Sequence, residues 1–183
     1  MYSEQPLQTT VAAAIAFEGV GLHSGRFVRV TIHPAPANTG ISFRRVDITE
    51  SRQTIAATPD NVQQARLCTR IVNDDGVRLE TVEHIMAAFA GLGVDNAIVD
   101  IDGGEAPILD GSSLPVVEAI NRTGIIQLAA RRRVLVVTSP VSIEHAGGWA
   151  KIEPCNGLKI DAEIDFSDPA IGLSLIHISE PTR

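Results

Sequence analysis

Glu83 and His84 are adjacent residues whose side chains could together supply a general base and a metal ligand. The apolar residues around them recur with the spacing of one helix face: Val82, Ile85, Met86 and Phe89. Thr81 is a good N-cap and the segment 91–93 contains two glycines, so the spacing predicts a helix that begins after Thr81 and ends near Gly93. The positive end of this helix favours an ionised Glu83 and a neutral His84, which is the form of imidazole that binds metal.

The Glu83–His84 pair also has an ordinary reading that involves no chemistry. A Glu-His dipeptide on a helix is common on solvated surfaces, and a histidine on such a helix can instead lie in the core with a backbone partner. A catalytic zinc usually has three protein ligands and an open position, and the pair supplies only one of these ligands. The two residues alone therefore leave both readings open.

Several further segments, in order along the chain, resemble those of the UDP-3-O-acyl-N-acetylglucosamine deacetylase family. This family consists of zinc amidohydrolases of lipid A synthesis in Gram-negative bacteria. The matching segments lie at residues 19–25, 34–40, 67–69, 79–84, 87–96 and 107–112. The resemblance extends over nearly everything from Leu7 to Ile171.

The resemblance implies a zinc-dependent hydrolysis of the N-acetyl group of a UDP-sugar acyl substrate, with Glu83 as catalytic base and His84 as a metal ligand. The remaining ligands in the family are a histidine and an aspartate from a second domain, and the resemblance places them beyond the end of this chain. We therefore expect this chain to be inactive by itself. His23, Leu67 and Cys68 are expected near the substrate. Without the resemblance, His23 reads as an ordinary loop histidine and Cys68 as a small buried residue.

Composition limits the other function classes. The chain has 183 residues and a formal net charge of −7, which argues against a nucleic-acid partner. No apolar run reaches the roughly 18 residues of a transmembrane segment, and no secretory signal is visible. Cys68 and Cys155 are too few for a disulfide framework. We therefore expect a cytoplasmic protein with zinc as its cofactor; the oligomeric state cannot be read from the sequence.

The elements predicted from hydrophobic patterning give an α+β fold, with two helices on one face of a sheet in a two-layer arrangement. Predicted strands cover residues 7–20, 27–33, 41–43 and 96–102, with a hairpin at 67–72 and 77–79. Asp110 is expected to cap a second helix from about Ser112 to Arg122, ended by Gly124. Residues 53–64 are expected to form a connection. In the family, this plan is similar to domain 2 of ribosomal protein S5.

The predicted domains are 1–130, which contains the Glu83–His84 helix, and 131–172, which contains the opening strands of an incomplete second α+β domain. Residues 131–133 form a run of three arginines that marks a boundary and suggests a solvated face or a linker. Residues 173–183 do not continue the family pattern, and they match the translation of an adapter used in sequencing libraries. They are predicted to be a non-native tail.

A rival interpretation is a non-enzymatic α+β binding module, because one fold supports many functions. A truncated or decayed deacetylase without activity is a third possibility. A downstream His-x-x-x-Asp pattern in the full gene would distinguish the hydrolase from the module.

Overall fold

The computed structural model of the chain describes residues 6–48, 53–145 and 147–180. The chain divides into two compact units, Met1–Arg133 and Val134–Arg183.

Within its described residues, 6–48 and 53–133, unit 1 contains ten strands, two α-helices and one short 3-10 helix. The strands are β1 (Leu7–Val11), β2 (Ile15–Val20), β3 (Phe27–Pro34), β4 (Ile41–Arg45), β5 (Thr54–Ala56), β6 (Val62–Gln63), β7 (Arg70–Val72), β8 (Arg78–Leu79), β9 (Ala97–Ile101) and β10 (Ile125–Arg131). The helices are α1 (Glu83–Leu92) and α2 (Leu114–Thr123), and the 3-10 helix is Pro59–Asn61. The main sheet has the order β2-β3-β9-β4-β5, antiparallel except between β4 and β9.

The core of unit 1 lies between one face of this sheet and the two helices. Alternate residues of β3 are buried, namely Val28, Val30 and Ile32, as the two-residue period of a strand requires. α1 contributes Ile85, Ala88 and Phe89 to the core, and α2 contributes Val116 and Ile120. The predicted α+β class is confirmed, and aliphatic side chains fill most of the core.

Both helices end where the sequence predicts, but they begin later. Gly93 has a left-handed backbone (φ 71°) and its N–H donates to the carbonyl of Ala90, which ends α1. The predicted Thr81 cap is wrong, because the residue before α1 is Val82 and no side chain caps it. α2 ends at Gly124 as predicted.

Asp110 does not cap α2 directly. Its carboxylate accepts hydrogen bonds from the backbone N–H and the hydroxyl of Ser112, both at 2.9 Å, and α2 starts only at Leu114. Pro115 lies in the first turn of α2, where its missing N–H costs nothing. Asp110 therefore stabilises the turn before the helix.

Three predicted strand boundaries differ from the structure. Residues 7–20 form two strands that belong to different sheets, because β1 pairs with β10 whereas β2 pairs with β3. The predicted connection at 53–64 contains β5, the 3-10 helix and β6. The predicted hairpin is present as β7 and β8, although its strands are shorter.

The part of unit 2 that the structure describes forms two antiparallel hairpins, β11 (Val141–His145) with β12 (Gly148–Ile152) and β13 (Leu158–Asp165) with β14 (Leu173–Glu180). None of its residues for which burial is described is buried. β14 consists of the first residues of the predicted adapter-derived tail, and it pairs with β13 along its whole length. The adapter origin of residues 173–183 stays a prediction.

Within the three described ranges, no helix has both the length and the apolar character needed to cross a lipid bilayer.

Candidate active site

Glu83 and His84 lie in the first turn of α1, and both are half-buried. The opposite face of the helix is fixed in the core by Ile85, Ala88 and Phe89, of which Phe89 is only 1% exposed. The first turn therefore has a defined position relative to the sheet. Neither side chain of the pair is sealed within apolar packing.

The Glu83 carboxylate is oriented by the segment that contains Cys68. Its Oε2 accepts a hydrogen bond from the backbone N–H of Thr69 at 3.0 Å. The N–H of Val82 donates to the carbonyl of Thr69 at 3.5 Å, so the same residue contacts the start of α1 twice. Within residues 6–48, 53–145 and 147–180 no other hydrogen bond reaches the Glu83 side chain, which leaves Oε1 open to take a proton.

His84 has a free nitrogen atom. Its Nδ1 is buried, and no hydrogen-bond partner for it is present in the described part of the chain. Buried polar atoms nearly always have a partner, so an orphaned imidazole nitrogen fits a position that binds a metal ion. No group of three His, Cys, Asp or Glu side chains suited to a metal occurs among the described residues. His84 therefore fits as one ligand of a set that those residues do not complete.

Leu67 and Cys68 lie in the segment that precedes the Thr69 contact to Glu83. Leu67 is 79% exposed and has a left-handed backbone (φ 59°), which is uncommon for a residue with a branched side chain. Cys68 is a half-buried free thiol. The structure thus brings the backbone of this segment to Glu83, and it leaves the Leu67 side chain in solvent.

His23 lies in the turn between β2 and β3, and it is exposed. Its backbone N–H donates to Oε1 of Glu105 at 2.9 Å. The hydroxyl of Thr81 donates to the same oxygen atom at 3.1 Å. The His23 turn and the residue two positions before α1 therefore meet at one carboxylate.

Glu105 was not predicted from the sequence as a site residue. It is 3% exposed, and it also accepts the N–H of Ser24 at 2.7 Å. Burial alone would raise the pKa of Glu105, but the hydrogen bonds from His23, Ser24 and Thr81 outweigh burial and hold the pKa below its usual range. The local sequence sign of this residue is its position directly after Gly103 and Gly104, which does not reveal the distant partners.

His33 lies away from the Glu83–His84 pair, on another surface of the sheet. Its Nε2 is 3.1 Å from Asp100, and Asp100 also receives two hydrogen bonds from the guanidinium of Arg44. This cross-strand cluster joins β3, β9 and β4, and it is a structural ion-pair group.

A sequence model of the family described as LpxC, UDP-3-O-acyl N-acetylglycosamine deacetylase, matches residues 8–182. The match also runs across most of the residues predicted to be a non-native tail.

Similar proteins include three called UDP-3-O-acyl-N-acetylglucosamine deacetylase. The protein from Shewanella halifaxensis is 43% identical over 171 residues, which is 93% of this chain and 56% of the relative. The one from Vibrio cholerae is 47% identical over 164 residues, which is 90% of this chain and 53% of the relative. The one from Neisseria meningitidis is 44% identical over 169 residues, which is 92% of this chain and 55% of the relative. This chain spans about half the length of the curated relatives it matches. Because the family model matches well over half of its residues, the chain belongs to the UDP-3-O-acyl N-acetylglycosamine deacetylase family.

Proposed function

We propose that the full-length protein hydrolyses the N-acetyl group of UDP-3-O-(3-hydroxyacyl)-N-acetylglucosamine and releases acetate, as an early step of lipid A synthesis in the cytoplasm. Family membership and the names of the relatives support this reaction. The observation that carries the proposal is the first turn of α1, where an open carboxylate oxygen and an orphaned imidazole nitrogen belong to adjacent residues.

Glu83 acts as the general base in this proposal. The attacking water forms a C–O bond to the amide carbonyl carbon and gives one proton to Glu83, and the C–N bond then breaks. The proton held by Glu83 can pass to the departing nitrogen, so the products are acetate and a free amine. The hydrogen bond from the backbone N–H of Thr69 orients the carboxylate before the reaction.

His84 serves as one ligand of a zinc ion. When bound, zinc polarises an amide carbonyl and makes a water molecule more acidic. The other ligands belong to the part of the family's sequence that lies beyond this chain. The 183-residue chain itself is therefore proposed to be inactive, and His23, Leu67 and Cys68 are proposed to face the substrate.

Acetate release by the full-length protein tests this proposal. Glu83→Gln keeps the size of the side chain but removes its basicity, so we expect a loss of turnover of about 100-fold or more with zinc content unchanged. Glu118→Gln is a matched control, because Glu118 is an exposed residue of α2 whose ion pair with Arg122 is 3.8 Å long.

Retention of most of the turnover in the Glu83→Gln protein would remove this residue from the role of base. Binding of the substrate without release of acetate by the unmodified full-length protein would instead favour a binding module. Elemental analysis of both proteins identifies the metal, and a content of less than one zinc per active molecule would contradict the metal assignment.

A further inference from the structure

Glu105 is a buried acid for which the proposed reaction gives no role. It lies between β9 and α2, directly after Gly103 and Gly104. No ion pair to Glu105 is found among the residues that the structure describes, so neutral hydrogen-bond donors surround its charge. A buried carboxylate is costly unless such donors satisfy it, and this arrangement therefore needs every one of its partners.

The partners of Glu105 come from two segments that are far apart in sequence. His23 and Ser24 present consecutive backbone N–H groups, one to each carboxylate oxygen. The hydroxyl of Thr81 donates to Oε1, the oxygen that also accepts the N–H of His23. The carboxylate thus joins the turn that contains His23 to the segment that leads into α1.

The backbone around Glu105 reinforces this connection. The N–H of Glu80 donates to the carbonyl of Gly104 at 3.1 Å, and the N–H of Ala106 donates to the carbonyl of Glu80 at 2.9 Å. Gly21 forms an isolated bridge with Pro107. The short segment from Gly104 to Pro107 therefore lies between the His23 turn and the residues before α1.

Thr81 has a backbone conformation that requires such support. Its φ of 59° lies in the left-handed region, which is unfavourable for a β-branched residue. Only Val82 separates Thr81 from Glu83. A change in the backbone of Thr81 would therefore reorient the first turn of α1. The hydrogen bond to Glu105 is the contact that fixes the Thr81 side chain in this conformation.

We propose that Glu105 is a positioning residue that sets the His23 turn and the first turn of α1 in one fixed arrangement. This inference rests on the proposed function, because only then does the placement of His23 relative to Glu83 and His84 matter for turnover. Glu105 does not touch the reacting atoms.

The test on the unmodified 183-residue chain is a pH titration followed by proton–nitrogen correlation spectra. Below about pH 5, where carboxyl groups titrate, the amide signals of His23 and Ser24 are expected to move together with one midpoint, because both N–H groups bond to the same carboxylate. Amides of β9, such as those of Val99 and Ile101, are expected to stay constant over that range. Independent midpoints in this acid range, or movement of only one of the two amides, would overturn the proposal without any variant having to fold.

Glu105→Gln tests the connection directly. Either orientation of the new amide places an NH₂ group against the N–H of His23 or that of Ser24, so one bond must be lost. Hydrogen exchange at these two amides should accelerate about 10- to 100-fold relative to β9, since an unpaired buried donor costs about 1–3 kcal/mol. The shared titration should also disappear.

Glu80→Gln is the matched control, because Glu80 lies on the same backbone bridge but pairs with Arg70 and not with the His23 turn. It should leave the exchange at His23 and Ser24 unchanged. Equal acceleration in both variants would show a general loosening of the fold and would contradict a specific role for Glu105.

In the full-length protein, Glu105→Gln is expected to lower kcat roughly 10- to 100-fold with zinc content and KM little changed, as for a small misplacement of reacting groups. A kcat like that of the unmodified protein, with the amide effects present, would leave the link intact but overturn its role in positioning. If the unmodified full-length protein releases no acetate, the proposed function fails while the amide readout still decides whether the link exists.

Discussion

Gly21→Ala should destabilise unit 1, although it adds only one methyl group. A Cβ at this position would lie 2.5 Å from Oε2 of Glu105 and 2.5 Å from Oγ of Ser24. Real Cβ atoms do not approach other heavy atoms so closely, so the carboxylate of Glu105 must move.

The expected magnitude follows from the bonds that this movement breaks. Glu105 accepts the N–H of Ser24 at 2.7 Å and the N–H of His23 at 2.9 Å. Each hydrogen bond to a charged group contributes about 1.5–3 kcal/mol, and part of the loss is recovered when the turn shifts. We therefore expect the free energy of unfolding of unit 1 to fall by about 3 kcal/mol.

Gly91→Ala is the matched control. Gly91 lies within α1, and a Cβ there meets nothing within 4 Å. Because alanine is a better helix former than glycine, this change should stabilise unit 1 by about 0.5–1 kcal/mol. The two variants add the same methyl group, but they are expected to change the free energy of unfolding of unit 1 in opposite directions.

Hydrogen exchange of the amides in β3 and β9 is the suitable assay, because the single tryptophan, Trp149, lies in unit 2 and reports on the wrong part of the chain. Exchange of these core amides gives the free energy of unfolding of unit 1 alone. A Gly21→Ala protein as stable as the unmodified chain would refute the close packing of Gly21 against Glu105.

Four further predictions concern single residues. Folding lowers the pKa of Glu105, so this residue stabilises the protein above the unfolded pKa of about 4.3. That stabilisation is lost as the pH falls through the pKa of the folded state. In urea unfolding, the free energy of unfolding should therefore fall less between neutral and acid pH in Glu105→Gln than in the unmodified chain. His84→Ala should reduce the zinc content of the full-length protein, as read by elemental analysis. Phe89→Ala should lower the stability of unit 1 by about 3–5 kcal/mol in the same exchange assay, because it opens a cavity in a fully buried core. Arg132→Ala should lower the stability of unit 1 by about 1–3 kcal/mol. The carbonyl of Gly93, which also accepts the Thr9 hydroxyl, loses its guanidinium donor at 2.8 Å, and Asp95 loses an ion pair.

The position of α1 could be predicted because its signals are local. The spacing of Ile85 and Phe89 and the glycine at position 93 are both visible within a window of about three helical turns. The start of α1 was predicted wrongly, because the Thr81 hydroxyl bonds to Glu105, 24 residues further along the chain. Glu105 and the free N–H groups of the helix compete for the Thr81 side chain, and the residues next to Thr81 do not reveal which of them it bonds to.

The short strands were missed for a related reason. β5 and β6 have three and two residues, too few to show a period, and they are strands only because β4 and β7 lie beside them. β10 was missed although it is longer, because its partner β1 is more than 100 residues earlier. Pairing between distant segments is a property of the fold and not of either segment.

In the candidate site, too, local features could be predicted and contacts between distant segments could not. Glu83 and His84 stand out as a dipeptide on a helix, and family motifs point to His23 and Cys68. The contact between Thr69 and Glu83 and the role of Glu105 depend on backbone atoms, which have the same chemistry in every sequence. Only the folded structure shows which of those backbone atoms face a carboxylate.

The arginine run at 131–133 was expected to be a solvated face or a linker. The guanidinium of Arg132 instead donates to the carbonyl of Gly93 and lies 2.8 Å from Asp95. That side chain closes the C-terminal end of the helix whose first turn contains Glu83 and His84. A shortened version for crystallisation that stops at residue 130 would therefore lose the Arg132 contacts that hold the end of this helix. One that keeps the chain through Arg133 would retain it.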